Sequence, residues 1–159
     1  MFGFMRGRPD ATGTHRLGKN SLLAGLRASE LKIVEGFFHD RRYLPGEIVF
    51  DQGEEGQALY IVLSGRVLIC RPGQADRPIA ELGPGEFFGE LALLDDSPRS
   101  AQARAGEPTE VAVLFRGDFE RLMESHAQLA SRMAMQLARH LGQRLRNMVA
   151  RLPAEALSQ

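Results

Sequence analysis

Between residues 43 and 116 brief apolar runs alternate with turn residues. The runs are 48–50, 58–63, 67–70, 79–82, 86–88, 101–105 and 110–115. Pro45-Gly46, Gly53, Gly56, Gly65, Pro72-Gly73, Gly83-Pro84-Gly85 and Glu107-Pro108 separate them. Short strands at regular spacing, punctuated by glycine and proline, predict an antiparallel sandwich or barrel. On both sides the period becomes helical. Upstream, Leu22, Leu23 and Leu26 form one stripe, and Leu31, Ile33, Val34, Phe37 and Phe38 another, with Ser29 as an N-cap before Glu30. Helices packing on the sheet are therefore expected over 21–42. Downstream, Gly117-Asp118 opens a short helix through Met123, and Ser125 or His126 begins a longer one. There Leu129, Met133, Leu137, Leu141, Leu145, Met148 and Leu152 recur at steps of four, four, four, four, three and four. That is one apolar stripe on one helix, which Pro153 ends.

The expected class is α+β, mainly β, in one domain over 21–152. It comprises N-terminal helices (21–42), a barrel (43–116) and C-terminal helices (117–152). A polar, aperiodic arm rich in glycine and arginine (1–20) precedes it, and a tail (153–159) follows.

Composition narrows the function classes. A chain of 159 residues, 43% hydrophobic and 25% charged, can bury a core of ordinary soluble type. Its formal net charge is zero, so no global field draws it to nucleic acid or anionic lipid. No apolar run reaches membrane-spanning length, and the first residues are too soon polar for a signal peptide. The cytoplasm is the expected compartment. One cysteine, Cys70, cannot form an internal disulfide, and its apolar strand points to a buried thiol. A metalloenzyme on a barrel of this kind would need histidines clustered on neighbouring strands. The four here, His15, His39, His126 and His140, lie outside the expected barrel at no ligand spacing. No nucleophile motif is visible, so neither catalysis nor a metal or cofactor is expected.

The chemistry concentrates in 87–101. Gly89 frees the backbone for a tight turn. Glu90-Leu91-Ala92-Leu93-Leu94 reads as a short helix, stopped by Asp95-Asp96-Ser97-Pro98, and Arg99 opens the strand-like run 100–105. Amides at the start of a short helix, with a guanidinium returning across the loop, suit a phosphate. A carboxylate repels a phosphate but accepts hydrogen bonds from sugar hydroxyls. One anionic phosphate beside a free ribose hydroxyl fits both charges. A plain Glu90–Arg99 ion pair pinning the loop is the other reading, and spacing does not separate the two.

Here a resemblance becomes specific. Phe88-Gly89-Glu90-Leu91-Ala92-Leu93 and Arg99-Ser100-Ala101 resemble, at every position, the phosphate-binding cassette of the cyclic nucleotide-binding domain family. Val49-Phe50-Asp51-Gln52-Gly53-Glu54-Glu55-Gly56-Gln57-Ala58-Leu59-Tyr60-Ile61-Val62-Leu63-Ser64-Gly65 is similar to its upstream signature, and the likeness covers 22–152. The resemblance implies a β-roll, a jelly-roll-like barrel interrupted by the cassette helix. It implies that Arg99, with the amides of Gly89, Glu90, Leu91, Ala92 and Ala101 and the Ser100 hydroxyl, holds a cyclic phosphate. Glu90 would hold the ribose 2′-hydroxyl. Since the family's usual cyclic GMP determinant is a threonine after the arginine, Ser100 leans toward cAMP, with cGMP as the second candidate.

The same resemblance makes the long helix a lid or a dimer seam. His140, Leu141, Arg144 and Leu145 are then the lid candidates, Arg144 by stacking on a purine face. The stripe itself fits a helix packed on the barrel equally well. Residues 125–154 carry no acid but include Arg132, Arg139, Arg144, Arg146 and Arg151, a charge pattern open to an acidic partner. Regulators of the catabolite activator type add a helix-turn-helix after this helix, and residues 153–159 are too few for one. The expected function is a cyclic nucleotide sensor that signals by contact, to an unidentified protein partner or a second copy, without DNA or membrane binding. The alternatives are a fragment of a larger regulator or channel, and a domain for another nucleotide such as a cyclic dinucleotide.

Overall fold

A computed structural model of the protein describes residues 17–157. Among these, eight strands form two four-stranded sheets in which every pairing is antiparallel. One sheet runs β1 (His39–Tyr43), β8 (Thr109–Phe115), β3 (Ala58–Ser64), β6 (Phe87–Phe88). The other runs β2 (Ile48–Phe50), β7 (Gln102–Ala105), β4 (Val67–Cys70), β5 (Ala80–Leu82). Three α-helices accompany them: α1 (Ala28–Glu35), α2 (Arg116–Ser125) and α3 (Ala127–Ala150). This is the expected mainly-β α+β roll.

The middle strands of the first sheet, β3 and β8, are buried on both faces. Along β3, Ala58, Tyr60 and Val62 point into the roll, while Leu59 and Ile61 point out to the helices; along β8, Val111 and Val113 point in, Ala112 and Leu114 out. Two-sided burial explains why 58–63 and 110–115 read as continuous apolar runs. Inside, Phe50, Ala103 and Val67 of the second sheet close on the inward set. Outside, Leu22, Leu23, Leu31, Val34, Phe119 and Leu122 cover the outward set.

The long helix divides its stripe. Leu129, Met133 and Leu137 are buried in the outer core and Leu141 packs at its margin. Leu145, Met148 and Leu152 are 62%, 64% and 49% exposed, so the far half runs on with its apolar side uncovered in this chain.

Four expectations need correction. Residues 39–43, expected within the helical segment, form β1, paired with β8 from His39↔Val113 to Tyr43↔Thr109. Gly36 ends α1, with its amide on the Ile33 carbonyl and the Phe37 amide on the Val34 carbonyl. The polar run His39-Asp40-Arg41-Arg42 hid an edge strand, where charge is favoured because it discourages pairing with other chains. His39 therefore does lie on the roll, where its ring meets the Asp118 carboxylate at 2.9 Å. The first expected helix is a 3-10 turn, Ser21–Leu23, and the residue preceding α1 is Arg27 rather than Ser29. Glu30 there accepts from the Arg27 amide at 3.0 Å and from its guanidinium. The last residues of the expected arm are core elements: Leu17 is 1% exposed, and the buried Asn20 side chain accepts from the Leu23 amide at 3.1 Å. The rest of that arm, 1–16, lies outside the described residues, as do 158–159 of the tail.

Candidate functional site

The site begins where β6 ends. Its two phenylalanines face opposite ways: Phe87 belongs to the outer core and Phe88 to the inner one, where its ring stacks on Tyr60 at 5.1 Å. Gly89 follows with φ +75°. A Cβ there would lie 2.7 Å from Arg99 Nη1 and 3.1 Å from the Ala58 carbonyl, so the position demands glycine for its backbone and its space. The expected short helix is a 3-10 turn, Glu90–Leu93. The Ala92 amide, expected on the ligand, donates instead to the Gly89 carbonyl at 3.2 Å. The tighter 3-10 repeat takes that donor one residue earlier than an α-helix would.

The chain returns through an Asx turn, the Ser97 amide on Asp95 Oδ1, to Arg99. Loop 51–56 grips the Arg99 main chain on both sides. Its amide donates to the Glu54 carbonyl and its carbonyl accepts from the Gly53 amide, each at 2.8 Å. The side chain turns inward. Nη1 donates to the Gly89 carbonyl at 3.0 Å and Nη2 to the Ala58 carbonyl at 2.8 Å. The guanidinium carbon lies 4.0 Å over the centroid of the Phe50 ring. Arg99 is only 9% exposed, and its Nε–H is buried with no partner. Burial pulls its pKa below the usual arginine value, while the fields of Tyr60, Glu90 and Glu54 oppose that shift. Burial also raises the Tyr60 phenol.

Gly56 faces this guanidinium. A Cβ there would meet the Ala92 methyl at 2.9 Å and Arg99 Nε at 3.1 Å. The glycine thus keeps a side chain from crowding this unpartnered donor.

Glu90 is 3% exposed and takes no bond from Arg99. Its Oε1 accepts from Arg144 Nη1 of α3 at 2.5 Å. The simple Glu90–Arg99 pair is therefore not what pins this loop. Arg144, expected to stack on a purine, is an ion-pair partner here because a buried carboxylate needs a cation in reach.

The other lid candidates separate. The His140 ring packs on Phe87 at 4.3 Å, on the outer side of the sheet. Leu141 packs at the margin of the outer core, and Leu145 is exposed. Within the cassette Leu91 and Ser100 are exposed, Phe88 and Ala92 buried, and Ala101 half-buried.

Two features escaped the sequence pattern. The aromatic floor of Phe50, Tyr60 and Phe88, with centroids 5.1–5.8 Å apart, could be read only as strand core. Arg116 gave no signal, yet its Nε donates to the Ala92 carbonyl at 2.7 Å. Among the described residues no group of His, Cys, Asp and Glu could hold a metal ion, and no helix is long and apolar enough to cross a membrane.

Comparison with known proteins places this arrangement. Residues 40–126 match the family model of the cyclic nucleotide-binding domain. The cyclic AMP receptor protein of Thermus thermophilus is 44% identical over 122 residues, which are 76% of this chain and 56% of that protein. The cAMP-dependent protein kinase regulatory subunit of Emericella nidulans is 35% identical over 102 residues, 64% of this chain and 24% of that one. The chain thus spans about half, or less, of the length of these relatives. A crystal structure of a cyclic nucleotide-binding domain from Methylobacillus flagellatus superposes with a TM-score of 0.74 at 25% identity, covering 86% of this chain and 78% of that one. By the family match and by the antiparallel roll with its Gly89–Arg99 turn, the chain belongs to the cyclic nucleotide-binding domain family.

Proposed function

We propose that the chain senses a cyclic mononucleotide, cAMP in preference to cGMP, held between Arg99 and Glu90. The observation that carries this reading is the buried, unpartnered Nε–H of Arg99, beside the space that Gly56 leaves. A buried donor without an acceptor costs about 1–3 kcal/mol, so it is expected where a ligand supplies the acceptor. A cyclic phosphate is monoanionic and presents two exocyclic oxygens, which suits one guanidinium. Glu90 accepts the ribose 2′-hydroxyl, and the amides of Glu90 and Leu91 and the Ser100 hydroxyl line the phosphate side. The relatives named for cyclic AMP agree with this ligand class.

The output is a contact. Glu90 is shared between the sugar and Arg144, so ligand binding alters the grip of the cassette on α3. The exposed apolar side beyond Leu141 then passes that change to a second copy or to a protein partner. The domain binds and performs no chemistry of its own.

Calorimetric titration with cAMP, cGMP and a cyclic dinucleotide tests the reading. Binding of cAMP more tightly than cGMP supports it. Binding of the dinucleotide alone, or of none of the three, overturns it.

A further inference from the structure

We propose that Arg116 is a positioning residue for the ligand site and the strut by which the cassette moves α2. The proposal rests on the cyclic nucleotide reading for its ligand but not for its geometry. Arg116 is the first residue of α2. Its main-chain amide donates to the Gln57 carbonyl at 2.8 Å, next to Gly56. Its guanidinium spans the C-terminal end of the cassette turn. Nε donates to the Ala92 carbonyl at 2.7 Å, and Nη2 to the Ala92 carbonyl and, at 2.5 Å, the Asp95 carbonyl. Nη1 meets the Asp96 carboxylate.

The Asp96 carboxylate is 86% exposed, so that pair contributes little. The carbonyls matter more. They stand at the end of the 3-10 turn, where carbonyls lack partners within the helix and a cation complements the dipole. Ala92 is itself 3% exposed, and its methyl and Arg99 Nε border the same small space in front of Gly56. Arg116 therefore fixes Ala92, and Ala92 fixes the space at Arg99 Nε. Movement of the cassette pulls on the first turn of α2 through the same bonds. Lysine cannot replace this fork, because one ammonium does not reproduce the planar set that puts Nε and Nη2 on the Ala92 carbonyl and Nη1 on Asp96.

The test uses the whole chain with Arg116→Gln and Arg116→Lys, read by cAMP titration and amide hydrogen exchange. In Arg116→Gln we expect cAMP binding about tenfold weaker. The Leu94 and Asp95 amides, which bond to the Leu91 carbonyl, should exchange faster. Core amides of α3 near Leu129 and Met133 should stay as slow as in the parent. Lysine should rescue neither property. In the parent, cAMP should slow exchange in the first turn of α2, and in the variants it should not. Unchanged exchange at Leu94 and Asp95, or parental affinity and α2 protection in a folded variant, overturns the proposal. If the parent binds no cAMP, the ligand reading falls, and the strut stands or falls on the exchange at Leu94 and Asp95.

Discussion

Arg144 reaches across from α3 to a carboxylate that lies 54 positions earlier in the chain and is almost wholly buried: its Nη1 sits 2.5 Å from Glu90 Oε1. Beyond this point α3 has no buried residue. Removing either partner has unequal consequences. Arg144→Ala leaves a buried charge without its cation. Because Arg144 is itself half-exposed, a cost of about 1–2 kcal/mol is expected. Glu90→Gln with Arg144→Ala should cost less than the two single changes combined. A double-mutant cycle by urea unfolding checks this, and additive costs would show the pair to be uncoupled.

Arg99 should matter more for binding than for folding. Arg99→Ala leaves the Gly89 and Ala58 carbonyls without their donors but also removes a buried charge, two effects that oppose each other. The stability change should be modest. cAMP titration should lose its heat in Arg99→Ala, and Glu90→Ala should weaken binding by about 1.5–3 kcal/mol, the range for charge-assisted hydrogen bonds. Equal heats from Arg99→Ala and the parent would contradict the assignment.

The glycines separate two kinds of cost. Gly73→Ala meets nothing within 4 Å but must adopt φ +77°, so it should lose about 1 kcal/mol of stability and no affinity. Gly56→Ala carries no positive φ, yet its methyl would press on Ala92 and Arg99 Nε. It should weaken cAMP binding with a small stability loss. Gly89→Ala combines both penalties and should be the most damaging of the three. Melting curves paired with titrations read the split.

Acid should loosen the join between α1 and α3. Glu30 accepts from the Arg27 amide, from the Arg27 guanidinium and from Arg132 Nη1 of α3 at 2.9 Å. These bonds, the Arg27 amide first, hold its carboxyl below the ordinary value of 4.5, against the opposing pull of burial. A depressed carboxylate stabilises the fold fully above its unfolded pKa and loses that contribution as pH falls through its folded one. Glu30→Gln should therefore flatten the acid limb of the melting temperature below about pH 4.5 and leave the neutral-to-alkaline side parallel to the parent. An unchanged acid limb would contradict the linkage.

How much of this was legible depended on whether one residue or a spatial neighbour carried the signal. The runs over β2, β3, β4 and β8, and the helix break at His126, follow from period and punctuation that each segment holds within itself. Strand β1 was not legible, because an edge strand of charged residues has no apolar period and is defined by its pairing with β8. Gly89, Glu90 and Arg99 stood out because turn, carboxylate and guanidinium sit close in sequence. The partners that complete them do not. Ala58, Phe50, Arg116 and Arg144 reach the site from four separate elements, and only chain folding brings them there. The Glu90–Arg144 pair also shows that spacing can name a residue without naming its partner.

The most direct test of the account is the nuclear magnetic resonance signal of the Arg99 Hε–Nε pair during titration with cAMP, assigned by its loss in Arg99→Lys. With no acceptor at Nε, the account predicts a downfield shift and slower solvent exchange as the phosphate arrives. Saturable binding of cAMP that leaves this signal unmoved would contradict it.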